Sequence, residues 1–526
     1  MNPFKSIKAR IDSARNTKKS RYWEYTEFYE DCIIWEDTFF LESFGGNNFQ
    51  GNPYYIYKEL INDSQYKDFQ IIIAHKNPEK LQEELSIRGL MDERVRIVQV
   101  GTRAYREAVT HAKYLINNVS FSMDFIKKDG QVYLNTWHGT QLKTLGRSIA
   151  GDPFACINGQ RNYLMSDYLL APNDLTKRVY EDEYMVKGIM SGELFLGGYP
   201  RNSVFFNEEY RQKVKEKYGL QHVKSVFYMP TWRGTACGVA KVDQISEIEK
   251  LAKELGEDYR VYVKFHPAMQ NANTNFQYCL PMPSDIEVYE FLNAVDVLIT
   301  DYSSVFFDFA NTGKKIVLYQ YDKDEYFKDR GVYQEADENL SFDIAYTYEE
   351  LLQYVKEDEI KEYSKFIERF CKYDNIHAAK FVVDKMLDTK RENEALPIDL
   401  YIIDFPVTEE ELFAIKDKLQ GQNYRFVFVL GKYSYAFEKI KRWTEIDYTS
   451  LNVYNRLTPK EKRKEKRLRV AYKWFGNKKA LAKLQAFGKR ERKRLWGDLK
   501  INHIYAKNKK LPTAVRYDTE TWPTDL

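Results

Sequence analysis

Between Asp31 and Leu387 the chain keeps returning to one device: a short apolar run, a loop rich in Gly, Asn, Pro or Ser, then a helical stretch. Strands that alternate with helices form parallel sheets, because a parallel neighbour is reached only by a crossover and the crossover helices then cover both faces. The first series reads DTFFLESFGG, the helix NPYYIYKELI, then DFQIIIAH, RVRIVQVG, AKYLINN, QVYLNTWHG and SDYLLAPND. The glycine pair and proline of LFLGGYPRNSVFF mark a boundary, and KSVFYMPTWRG, YRVYVKFHP, VDVLITDYSS and KKIVLYQYD form a second series. The expected fold class is α/β, with two Rossmann-like domains, residues 31–198 and 199–391, facing a cleft that holds the ligands.

The two ends of the chain read differently. Residues 1–30 begin with Lys5, Lys8, Arg10, Arg15, Lys18, Lys19 and Arg21 against the single acid Asp12, while Phe4, Ile7, Ile11 and Ala14 fall on one helical face. This segment is either a solvated terminal helix or a helix lying on a membrane surface. Residues 392–457 read as a small α/β accessory module, with LPIDLYIIDFP and YRFVFVLGKY as strands around the helix TEEELFAIKDKLQG. Residues 458–526 read as a basic tail. From Lys460 to Lys500 there are 17 Lys and Arg against 4 Asp and Glu, although the whole chain nets only +3, so the remainder is acidic.

Composition narrows the class further. At 44% hydrophobic residues, with 41 Tyr and 32 Phe, the chain buries enough apolar surface to fold. Five cysteines, Cys32, Cys156, Cys237, Cys279 and Cys371, are scattered with no paired spacing, which fits a reducing compartment better than a disulfide framework or a thiolate zinc site. No apolar run reaches the length of a spanning helix, and the N-terminus lacks the apolar core of a signal peptide. Neither a dinucleotide fingerprint nor a P-loop occurs. The DKD triplet at Asp322 to Asp324 reads as an acidic surface loop, so neither a cofactor nor a metal is expected.

Four motifs share one context, the carboxyl end of an apolar strand, where open α/β sheets bind ligands. They are Trp137-His138-Gly139-Thr140, Thr231-Trp232-Arg233-Gly234, Lys264-Phe265-His266-Pro267 and Asp301-Tyr302-Ser303-Ser304. Ser303 and Ser304 open the helical stretch SVFFDFANTG, whose free N–H groups favour an anion; the plain alternative is a simple N-cap. Gly313 supplies its C-terminal stop. Arg233 and Lys264 add a guanidinium and an ammonium suited to phosphate, and Asp308 reads equally as a helix-face acid or a ligand contact. An imidazole titrates near neutral pH, so His138 and His266, one per domain, are candidate acid–base groups. Gly139 and the cations Lys143 and Arg147 lie within ten residues of His138.

LESFGGNNFQGNPYYIYKEL, NTWHGTQLKTLG, GYPRN, YMPTWRG, VKFHP and DYSSVFFDFA, in that order and spacing, resemble the CDP-glycerol glycerophosphotransferase family of teichoic acid primases and polymerases. The resemblance spans roughly Asp31 to Leu387 and implies a GT-B fold, with the acceptor in the N-terminal domain and the donor, CDP-glycerol or CDP-ribitol, in the C-terminal one. It implies transfer of glycerol or ribitol phosphate to a polyprenyl-diphosphate-linked acceptor with release of CMP, at the cytoplasmic face of an anionic membrane. By the same resemblance His138 matches the general base and His266 the histidine on the donor diphosphate. Thr231, Arg233, Gly234, Lys264, Asp301, Ser303, Ser304 and Asp308 fall on the donor side, and Gly139, Thr140, Lys143 and Arg147 on the acceptor side. In YDNIHAAKFV, Asn375 and Ile376 stand where the family has Gly and a small residue, which puts a nucleotide contact there in doubt.

Two other readings remain. A sugar-nucleotide glycosyltransferase has the same architecture. The basic tail, with Tyr472, Trp474, Phe475, Phe487 and Trp496 among its cations, reads as a surface for anionic lipid, a surface for nucleic acid, or a solvated charged segment.

Overall fold

The computed structural model describes residues 18–149, 151–231, 243–264, 276–388, 394–430, 440–452, 457–508, 511–524 and 526. The apolar face proposed for Phe4, Ile7, Ile11 and Ala14 therefore lies outside the described residues; the helix that follows runs Lys18–Glu30.

The first sheet contains β1 (Trp35–Glu42), β2 (Gln70–His75), β3 (Val95–Gln99), β4 (Ala112–Asn117), β5 (Val132–Asn135), β6 (Tyr168–Ala171) and β7 (Glu193–Leu196). Its strands are all parallel, in the order β3-β2-β1-β4-β5-β6-β7. The second contains β8 (Lys224–Tyr228), β9 (Tyr259–Val263), β10 (Leu280–Pro281), β11 (Val297–Thr300), β12 (Lys315–Tyr319) and β13 (Asp343–Ala345), again parallel, in the order β10-β9-β8-β11-β12-β13. Central strands such as β4 and β11 are buried along nearly their whole length, as a sheet covered on both faces requires. The strand order reverses between β1 and β4 and between β8 and β11, so the loops leaving those strands border a crevice in each domain. This is the pair of Rossmann-like domains expected from the alternating pattern, and the GT-B arrangement that the resemblance implies. After the second sheet, helix Ala378–Asp388 returns to the first domain, where Lys380 meets Asp63 at 3.2 Å, Lys385 meets Glu193 at 2.7 Å, and the Tyr66 hydroxyl donates to Asp384 at 2.6 Å.

The C-terminal region corrects the expectation of a small module followed by a tail. β14 (Ile398–Ile403), β15 (Tyr424–Leu430), β16 (Tyr448–Asn452), β17 (Ile501–Ala506) and β18 (Glu520–Thr521) form one parallel sheet in the order β16-β15-β14-β17-β18. The expected boundary at 457/458 thus cuts through a third doubly wound domain. A parallel strand on the far side of β14 needs a long crossover, and the basic stretch supplies it as a helical hairpin, Pro459–Phe475 and Lys478–Trp496. This domain is docked on the first: Phe154 packs edge-on to Phe428, Trp443 and Tyr448, and Lys127 bridges Asp167 at 2.8 Å and Asp498 at 2.7 Å. Among the described residues no helix is long and apolar enough to cross a membrane.

Candidate active site

His138 follows β5 at the carboxyl edge of the first sheet, beside the loops that leave β1 and β4. Its Nδ1 lies 2.8 Å from the Asn118 carbonyl oxygen. A carbonyl only accepts, so Nδ1 carries the hydrogen and Nε2 is left with its lone pair. Burial pushes the imidazole down to about 4, helped by the Arg201 charge and opposed by the Asn118 hydrogen bond. The ring is therefore neutral throughout the physiological range. It is flanked by Phe44 and Trp137, two of the four non-glycine residues with positive φ among the described residues, at +48° and +53°. Such backbone is held only where its surroundings over-determine it. The Asn118 side chain accepts from Phe44 N at 2.8 Å, and Asn52 donates to the Trp137 carbonyl at 3.1 Å.

Gly139 brings the two domains together. A Cβ at this position would sit 2.4 Å from Ser304 Oγ and 3.1 Å from Ser304 Cβ. The His138 loop therefore touches the Asp301–Ser304 loop of the second sheet through bare backbone. Gly139→Ala is expected to part the two loops and lower turnover about tenfold or more, since sub-ångström misplacement of reacting groups is costly. Steady-state rates beside an unchanged melting temperature test this, and full activity would show that the contact is dispensable.

On the second domain the three motif loops leave the adjacent strands β9, β8 and β11. Thr231 N donates to both Asp301 carboxylate oxygens, at 2.9 and 3.0 Å, which locks the loops across the switch point. Lys264 leaves β9 with its ammonium pushed down by burial, partly offset by Glu287. Ser303 and Ser304 are half-buried, and Ser304 is the N-cap of helix Val305–Phe309 without using its hydroxyl as a cap. That helix has only 5 residues before a 3-10 turn, Ala310–Thr312, ends at the left-handed Gly313, so it is shorter than the sequence suggests. Arg233, Gly234 and His266 lie outside the described residues.

Several candidates are engaged elsewhere. Asp308 is buried, pairs with Arg201 at 2.7 Å and accepts from the Tyr289 hydroxyl at 3.2 Å. With Asp301 held by Thr231, both acids expected on the donor side are occupied by protein partners. Thr140 is buried and accepts from Asn173 at 2.9 Å. Arg147, expected beside the acceptor, donates to the Ile446 carbonyl and Asp447 in the third domain, at 2.9 and 3.0 Å. Lys143 lies at the junction of the first two domains, bridged to Val332 by its backbone and 5.4 Å from the Tyr326 ring.

The residue that organises the site carried no role in the sequence reading. Arg201, in GYPRN, is buried and donates to the His138 carbonyl and to Asp308, each at 2.7 Å, between the rings of Tyr199 and Tyr289. Asp374, in YDN, accepts from Tyr199 N at 2.9 Å and from Asn202 and Asn311, each at 2.8 Å. Burial raises Asp374 to about 6 against the pull of Asn311 and Asn202. Asp374 thus ties the GYPRN segment to Asn311 within the second domain, while Asn375 caps the His377 amide at 2.8 Å.

Glu42 ends β1 at the switch point, where it accepts from the Tyr105 hydroxyl at 2.5 Å and from Asn117 at 3.1 Å. Burial raises its carboxyl to about 7, with both hydrogen bonds and Lys76 opposing. Its folded value exceeds the ordinary 4.5, so its stabilising contribution is full below about pH 4.5 and is lost as pH rises through 7. Glu42→Gln keeps an acceptor without the titration and is expected to gain thermal stability on the wild type as pH rises from about 4.5 to about 7, on the order of several degrees. Parallel melting curves across that window would place the titration elsewhere.

Comparison with known proteins adds a second line. The family described as CDP-Glycerol:Poly(glycerophosphate) glycerophosphotransferase matches residues 28–388. A teichoic acid poly(glycerol phosphate) polymerase of Staphylococcus epidermidis is 28% identical over 70% of this chain and 53% of its own, so the chain spans about half of that relative. A second polymerase of that description, from Bacillus spizizenii, is 27% identical over 67% of this chain and 92% of its own. A structure of the wall teichoic acid polymerase TagF, a histidine-to-asparagine variant soaked with CDPG, superposes with a TM-score of 0.62 at 26% identity, over 73% of this chain and 96% of that one.

Proposed function

The chain belongs to the CDP-glycerol:poly(glycerophosphate) glycerophosphotransferase family, and on that premise we propose that it moves glycerol phosphate, or ribitol phosphate, from a CDP-alcohol to a hydroxyl of a polyprenyl-diphosphate-linked acceptor, releasing CMP in teichoic acid synthesis. One observation carries this reading: a neutral imidazole with a free Nε2 on the loop that touches the Ser304 loop of the other domain. Nε2 takes the proton of the acceptor hydroxyl. The oxygen attacks the phosphorus that bears the polyol, and the bond to CMP breaks, with CMP leaving in line. Lys264 and the Ser303–Ser304 edge face the developing phosphate charge, and His266, Arg233 and Gly234 complete the donor side by family correspondence. Asp301 and Asp308 act as positioning residues through Thr231 and Arg201. Of the acceptor candidates, Gly139 and Lys143 remain at the junction. The lipid-linked acceptor places the work at the cytoplasmic face of the membrane.

The test offers CDP-glycerol and CDP-ribitol in parallel with a defined lipid-linked acceptor and measures CMP. Release from one of them, dependent on acceptor, supports transfer and identifies the polyol. Consumption of a UDP- or GDP-sugar, with both CDP-alcohols untouched, would replace the reading with a glycosyltransferase.

A further inference from the structure

The crossover hairpin of the third domain sorts its charges. In its second helix the arginines serve the fold: Arg490 bridges Glu30 at 2.6 Å and Glu461 at 2.5 Å, Arg492 bridges Asp518 at 2.5 Å, and Arg494 donates to Thr26 at 2.7 Å and to the Asp124 carbonyl at 2.6 Å. Trp496 is core and donates to the Ser450 carbonyl at 3.0 Å. The first helix, Pro459–Phe475, does the reverse. Its only two acids turn inward, Glu461 to Arg490 and Glu465 to the Tyr517 hydroxyl at 2.8 Å and Thr513 at 3.1 Å. Its cations, among them Lys466, Arg467, Arg469 and Lys473, are exposed, as are Lys478 and Lys479 just past the turn.

At the turn sit Trp474 and Phe475, 73% and 81% exposed, the two most exposed large apolar side chains among the described residues. Val470 and Tyr472, a turn of helix back, are exposed as well. Adjacent aromatics held in water at the turn, beside exposed cations and with no acid of the first helix facing outward, match a surface that is apolar within and anionic at its rim. Single-stranded nucleic acid instead calls for a groove that tracks its backbone between stacking platforms.

We infer that the apex of this hairpin is a membrane-contact surface, with Trp474 and Phe475 entering the headgroup boundary of an anionic bilayer and the surrounding lysines and arginines pairing with lipid phosphates. The surface lies outside the residues that the family match covers, and it is carried by exposure and charge alone. It does not rest on the transfer chemistry.

The experiment uses the full chain and vesicles of phosphatidylcholine with or without phosphatidylglycerol. The wild type is expected to float with the mixed vesicles and to release as salt rises. Replacing Lys466, Arg467, Arg469 and Lys473 with Gln should weaken partitioning about fivefold per cation. Trp474→Ser/Phe475→Ser should weaken it at least about tenfold, with an unchanged circular dichroism spectrum and unchanged turnover on a detergent-solubilised acceptor. Brominated lipid should quench a fluorescence component that Trp474→Phe lacks. Full flotation by the double aromatic variant overturns the proposal, as does absence of flotation by the wild type. Tighter binding to single-stranded RNA than to mixed vesicles would overturn it in favour of nucleic acid. If turnover fails on every acceptor while flotation behaves as stated, the transfer reading falls and this one stands.

Discussion

His138→Ala is expected to reduce acceptor-dependent CMP release by about 10²- to 10⁴-fold, the range a positioned general base contributes. The fold should survive, because the ring makes a single hydrogen bond, to the Asn118 carbonyl. The wild-type profile adds a second readout. With the free imidazole held near 4, the acid limb of kcat/KM belongs well below 6.5, and the limb should vanish with the side chain. A variant that retains more than about a tenth of the activity, with the limb in place, would remove His138 from the reaction.

Arg201→Met is expected to have the other large effect, and on two observables. It leaves Asp308 buried without its cation, and breaking one side of a buried pair costs about 3–5 kcal/mol. It also removes the donor that holds the His138 carbonyl, so kcat should fall with little change in KM. The double variant Arg201→Met/Asp308→Asn separates the two. Stability should return in large part, because no charge is stranded, whereas turnover should stay low because the loop remains unanchored. Recovery of turnover together with stability would mean that Arg201 acts only on folding.

Much of the fold was legible because parallel strands buried on both faces must be written as apolar runs, and β1, β2, β4, β8, β9 and β11 all are. Edge strands carry no such signature: β10 has 2 residues, both exposed, and β18 likewise. β17, INHIYA, buries only Ile504 and Ala506 fully and follows a long basic stretch, so nothing local ties it to β14. The candidate site was legible to the extent that ligand-bearing loops follow strand ends, which singled out His138, Lys264 and Ser304. Arg201 and Asp374 stayed silent because their meaning lies in partners far along the chain. Asn118, at the end of AKYLINN, did leave a trace: paired asparagines closing a buried strand.

The sequence by itself determined the alternating parallel sheets and which loops could carry chemistry, since both follow from local periodicity and from where strands end. Tertiary structure decided which side chains those loops use, joining His138 to Arg201, Arg201 to Asp308, and Gly139 to Ser304 across gaps of 63 to 165 residues. It also divided one basic stretch into buried braces and an exposed apex. Burial and pairing depend on what packs alongside, and a one-dimensional pattern does not contain that neighbour.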